Sequence, residues 1–225
     1  MFFARRPKWL LLTALIGALF SAGQSRSHER VARNDRPSAA WSHAGEREAH
    51  LQSARELTLD ILQNGSGCSA WFQETDPTSA EIFESLHFDI VEEPVKYVAM
   101  VRDAQGEWKY KQPWAARTYQ STGRDSTVKL NPSGAFFLAA LPVRKMERGS
   151  VVSYLGFRPL TVGAYRGDTL GAQITTLLHE LAHVTGRIPE DTDTLDGKSG
   201  KNTAEVLRHC KAEIQARVQM ARDSR

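Results

Sequence analysis

The sequence predicts an α+β fold in which a small sheet is preceded by one helix and followed by two. Apolar residues recur at helical spacing within 51–62, 174–181 and 206–218, and short runs rich in β-branched and aromatic residues fall between the first two stretches. With 225 residues, 41% hydrophobic and 24% charged, the chain suits one compact domain plus peripheral segments. Its net charge of +3 is small, and no long Lys/Arg tract or aromatic-basic interleaving occurs, so nucleic acid is not an expected partner.

At the N-terminus, Arg5, Arg6 and Lys8 precede the apolar run Trp9 to Phe20, and Ser21-Ala22-Gly23 offers small residues for cleavage. This is the three-part form of a secretory signal peptide over residues 1–23. The run falls short of the roughly 20 residues that cross a bilayer, so no stable membrane span is expected after cleavage. An uncleaved N-terminal anchor is the alternative. A polar linker rich in Ser, Arg, Asn and Pro follows over 24–40, and the folded domain is expected over 41–225, in a secreted or periplasmic protein. The two cysteines of the exported part, Cys68 and Cys210, form an even pair suited to one disulfide.

From Trp41, the residues Leu51, Ala54, Thr58, Ile61 and Leu62 outline a helix of about twenty residues that Asn64-Gly65 ends. Glu46, Arg47, Glu48, Arg55 and Glu56 form its solvated face. Strands are expected at Phe88–Val91, Val95–Arg102, Trp108–Tyr110, Ser126–Leu130 and Val151–Leu155, in a small antiparallel or mixed sheet, with short strands and turns throughout 68–166. Phe136 and Phe137, after the Asn131-Pro132-Ser133-Gly134 turn, read as core or as an apolar cleft wall. Asp168 or Thr169 caps a helix carrying Ile174, Leu177, Leu178 and Leu181, closed by Gly186. Val206, Cys210, Ile214 and Val218 form the buried stripe of a C-terminal helix.

The middle helix carries His179-Glu180-x-x-His183. Residues four apart lie on one helix face, so the two imidazoles can grip a single metal ion, zinc by the nature of the donors. Glu180 stands beside it as the general base toward water, the arrangement of a zinc-dependent hydrolase. A catalytic zinc usually takes a third protein ligand. Candidates are Asp191 and Asp193 in the acidic loop after Gly186, and Glu205, whose spacing from Asn202 also fits a capping box. Tyr154, Tyr165 and Arg166 are candidate stabilisers of a developing oxyanion.

The motif and loop resemble the zincin metallopeptidases. Pro189 occupies the third-histidine position of the metzincins, and a gluzincin ligand would be Glu205. The aspzincins, secreted endopeptidases whose third ligand is an aspartate soon after the second histidine, are more similar: Asp193 with Gly197 matches their Asp-x-x-x-Gly spacing, although Asp196 stands where they carry a tyrosine. The chain also resembles uncharacterised secreted bacterial proteins with His-Glu-x-x-His-x-x-Gly followed by Ile-Pro-x-Asp, Asn-Thr and a late cysteine. Ile188-Pro189-Glu190-Asp191, Asn202-Thr203 and Cys210 match that pattern, which favours Asp191, as does the stiff Ile188-Pro189 step.

These resemblances imply a zincin-like fold and a secreted zinc metallo-endopeptidase acting on protein or peptide. His179, His183 and Asp191 would be its ligands and Glu180 its general base. A zincin-fold protein that binds metal or peptide with little or no turnover is the alternative.

Overall fold

The computed structural model describes residues 39–191, 195 and 197–224. The expected signal peptide, the linker up to residue 38, Asp193 and Asp196 lie outside the described residues. The order is α1 (Ala39–Gln63), α2 (Gly67–Gln73), α3 (Ser79–Ser85), β1 (His87–Ile90), β2 (Val98–Arg102), β3 (Trp108–Lys111), β4 (Ala116–Arg117), β5 (Thr127–Leu130), β6 (Ala140–Glu147), β7 (Ser150–Pro159), β8 (Thr161–Val162), β9 (Tyr165–Arg166), α4 (Leu170–Val184) and α5 (Lys198–Asp223). The class is α+β, and the strands are divided among three small sheets. No helix among the described residues is long and apolar enough to cross a membrane.

The first sheet has the order β1-β5-β4, with β1 parallel and β4 antiparallel to β5. In β5, Val128 and Leu130 face inward while Thr127 and Lys129 face solvent, the alternation of a half-buried strand. The second sheet has the order β3-β2-β6-β7, and β8 pairs with β9. α2 and α3 replace part of the region expected as strands and turns. Each spans seven residues, too few to show a helical period. The Ser66 hydroxyl caps α2 by accepting from the Ser69 amide. β6 carries Pro142, a residue that argues against a central strand. It is tolerated because β2 pairs with β6 only over Val143–Lys145, leaving Pro142 beyond that ladder.

The core forms around α4, whose residues from Gly171 to Val184 are all buried. Ile174, Leu177, Leu178 and Leu181 pack with Leu51, Ala54, Ile61 and Leu62 of α1 and with Val206 and Ile214 of α5. Phe136 and Phe137 join the same core rather than a cleft wall. The polar residues of α4 satisfy themselves locally: Thr175 and Thr176 donate to carbonyls one turn back, and the Gln173 amide donates to the Phe136 carbonyl. Thr169 is the N-cap, its hydroxyl accepting from the Ala172 amide.

α5 is fastened at several levels. Cys68 and Cys210 form a disulfide between α2 and α5 across 142 residues of chain. Glu213 accepts from the Cys68 amide at 3.2 Å, and Arg217 pairs with Asp60 of α1. Closing so long a loop removes much conformational freedom from the unfolded chain. Replacing both cysteines by alanine should therefore lower unfolding free energy by about 2–5 kcal/mol. Equilibrium denaturation of the two forms measures this, and an unchanged midpoint would contradict it.

Candidate metal centre

α4 sets His179 and His183 one above the other because they are four residues apart, and burial leaves them 5% and 4% exposed. Their Nε2 atoms lie 3.0 Å apart. The chain then reverses at Gly186, whose φ of 71° is left-handed. The Arg187 and Ile188 amides both donate to the Ala182 carbonyl, and Ile188 buries its side chain in the core. This turn carries the following residues back over the open face of α4. Asp191 arrives with Oδ2 3.1 Å from His179 Nε2 and Oδ1 3.6 Å from His183 Nε2. One donor atom from each of the three lies within 4.8 Å of the others, a cluster that could hold a metal ion.

Each donor is oriented by neighbours, unequally. The Thr203 hydroxyl donates to the Ser199 carbonyl at 3.0 Å, so its oxygen accepts from His179 Nδ1–H at 3.2 Å. That tautomer leaves a lone pair on Nε2, pointed at the cluster. His183 Nδ1 is buried without a partner among the described residues, so that ring is held by packing and by the contacts of its Nε2 with His179 and Asp191. Asn202 donates to Asp191 Oδ1 at 2.6 Å and to the Pro189 carbonyl at 2.8 Å. From the other side, the Gln120 amide group donates to the Ile188 carbonyl and accepts from the Glu190 amide.

The electrostatics fit these contacts. Burial lowers the pKa of His179 against the opposing pull of Asp191, keeping the imidazole neutral as a metal requires. Burial works against the charge of Asp191 too, but His179, His183 and Ser199 outweigh it and hold the carboxyl well below the usual carboxylate range. Glu180 is 3% exposed. Burial first, then the charge of Asp191, push its pKa up to about 8, against smaller opposing effects of Arg117 and the Thr118 backbone. Its Oε2 has no hydrogen-bond partner among the described residues.

A groove of about 1350 Å³ opens over the cluster, lined by Glu180, both histidines, the segment leading into β4, and the start of α5. The Asn131–Gly134 turn shapes one wall. Asn131 donates its side-chain amide to the Trp114 carbonyl and its backbone amide to the Ala115 carbonyl. A Cβ on Gly134 would collide with that same Trp114 carbonyl, so the approach requires glycine.

The other sequence candidates are placed elsewhere. Glu205 pairs with Arg208 and His209 on α5 and is no part of the cluster. The capping reading also fails, because α5 starts at Lys198 after Gly197 and the Asn202 side chain turns to Asp191. Tyr154, Tyr165 and Arg166 do not line the groove. Arg117, Thr118, Gln120 and Ser199 were not singled out by the sequence, and Thr203 entered only as part of a resemblance. They reach the centre through a two-residue strand, a loop and a helix start that carry no local pattern. Comparison with family models, curated proteins and solved structures finds no match for this chain.

The supporting contacts predict how metal affinity responds to mutation. With zinc as the probe ion, Asn202→Ala and Thr203→Val should each weaken metal binding about 10–100-fold, as loss of the groups that orient metal ligands does elsewhere. Thr203→Ser, which keeps the hydroxyl, should bind as the parent does. Competition against a chromophoric chelator reads these affinities, and equal affinity across the set would rule out the orienting role.

Proposed function

We propose that the protein is a zinc-dependent metallopeptidase with a zincin-like fold, acting on protein or peptide substrates outside the cytoplasm. The reading is carried by one juxtaposition: a buried glutamate with an unpartnered carboxylate oxygen lies next in sequence to one of three converging metal donors, at the floor of an open groove. Two imidazoles and one carboxylate suit zinc, and three protein ligands leave a coordination position for the reaction.

His179, His183 and Asp191 would hold the ion. Zinc there supplies a Lewis acid that acidifies water and polarises a carbonyl. Glu180 takes the proton from water as its oxygen attacks the peptide carbonyl, and returns it to the leaving nitrogen as the C–N bond breaks. The burial that raises the Glu180 pKa brings it toward the range where a carboxylate both accepts and releases a proton near neutrality. Arg117, whose charge acts on Glu180 and whose strand borders the groove, adds positive potential where the oxyanion develops.

Export of the chain accords with the disulfide, a bond that persists in oxidising compartments. A metal- or peptide-binding protein of the same fold with weak or no turnover is the second reading. It is favoured by the placement of Tyr154 and Tyr165 away from the groove and by Asp196 at the tyrosine position of the aspzincins.

Glu180→Gln separates the two. With zinc still bound at one equivalent, the variant should cleave peptide about 10²–10⁴-fold more slowly than the parent. A chelator should abolish parental cleavage and added zinc restore it. Cleavage that persists unchanged in the Gln variant would sink the metallopeptidase mechanism.

A further inference from the structure

The loop that delivers Asp191 leaves α4 at Gly186 and needs more than its backbone to hold it over the histidines. The Arg187 and Ile188 amides both donate to the Ala182 carbonyl, which fixes the turn but not the path of the residues that follow. The side chains of the same two residues fix that path, each on a different partner. Ile188 enters the core, whereas Arg187 lies across the end of α2, a helix with no residue in the donor cluster.

The seat of Arg187 is built at the C-terminal end of α2. Nη1 donates to the Thr75 hydroxyl at 2.9 Å, and Nη2 pairs with Glu74. The guanidinium carbon stands 4.9 Å from the centre of the Trp71 ring, which is buried and stacked on His209 of α5 at 4.8 Å. The Arg187 side chain is 22% exposed but that of Glu74 is 66% exposed, so the ion pair alone adds little. The stack on a buried ring and the hydrogen bond to Thr75 fix the plane of the guanidinium, a rigid fork suited to being held by face and edge together. Cys68, in the first turn of α2, is bonded to Cys210 of α5. The disulfide therefore joins the two elements that grip the ligand loop: α5 at Asp191 through Asn202, and α2 at Arg187.

We propose that Arg187 is a positioning residue for Asp191, four residues further on: seated on α2, it sets where the loop crosses α4 and so how closely the carboxylate approaches His179 and His183. The proposal rests on the metal-centre reading and not on peptide hydrolysis. The role differs from that of Asn202, which touches the carboxylate itself. Arg187 lies outside the groove lining and acts only through the segment it begins.

The test uses the metal-free full chain titrated with Co²⁺, whose visible absorption is strong in a four-coordinate site and weak in a six-coordinate, water-rich one. Arg187→Ala should bind Co²⁺ about tenfold more weakly, the lower end of what loss of a ligand's supporting contacts costs. Its absorption should move toward that of Asp191→Ala, in which the ligand itself is gone. Glu74→Ala combined with Thr75→Val alters the seat instead of the loop; it should reproduce part of both changes, and it serves where Arg187→Ala folds poorly. Arg102→Ala is the stability control, because it removes an arginine 4.4 Å from the Trp108 ring centre and bonded to the Gly106 carbonyl, the same kind of contact in the β2–β3 hairpin. It should keep the parental affinity and spectrum. Parental affinity and spectrum in a folded Arg187 or seat variant would overturn the proposal, and so would an equal loss in the Arg102 variant. A parent that takes up neither Co²⁺ nor Zn²⁺ defeats the metal centre as well, whereas a parent that binds metal no better than its variants defeats the positioning role alone.

Discussion

The structure depends on the burial of α4. A helix whose residues from Gly171 to Val184 are all buried belongs in a core, yet this one places two histidines and a glutamate in its second half, on the floor of a groove. Removing such groups from water is costly unless their polar atoms find partners. Those of Gln173, Thr175 and Thr176 do so within the helix or at the Phe136 carbonyl. Those of His179 and His183 are directed at each other and at Asp191, three donor atoms drawn together in a small volume. Lone pairs so close together repel unless a proton or a cation stands among them, and a divalent cation satisfies all three at once.

α5 makes this arrangement durable. Its first turns supply Ser199, Asn202 and Thr203 to the centre, and its later turns carry Cys210, Glu213 and Arg217 to α2 and α1. One rigid element therefore transmits the anchoring of the helical layer to the orientation of His179 and Asp191. The partial positive charge at the start of a helix adds to the hydrogen bonds that favour an ionised Asp191. Such preorganisation matters most for an aspartate delivered by a loop, which has no helical backbone of its own to hold it.

What could be read from the sequence follows from which contacts are local. His179, Glu180 and His183 were legible because helical periodicity alone sets their spacing. Asp191 was legible only as one choice among three, since the reversal at Gly186 and the stiffness at Pro189 are local but the distance to the imidazoles is not. Asn202 misled: an asparagine three residues before a glutamate looks like a helix start, and only the position of Lys198 and Gly197 shows that α5 has already begun. The short helices α2 and α3 fall below the length at which a period is visible. Arg117 and Gln120 had no signal at all. Strand pairing and a loop seated on the end of α4, where the Ser121 amide donates to the His183 carbonyl, bring them in.

The same non-local assembly explains how a chain of nearly balanced charge gathers charged groups of both signs in one groove. Acidic residues of the described chain lie largely on helix faces and turns, as with Glu205 beside Arg208 and Asp103 in the β2–β3 turn. Bases on β3, β4 and β5 line the groove that opens over the metal centre, together with Glu93 and Glu190. Potential in a concave site is focused by its low-dielectric walls, so a few converging charges act more strongly there than the net charge suggests.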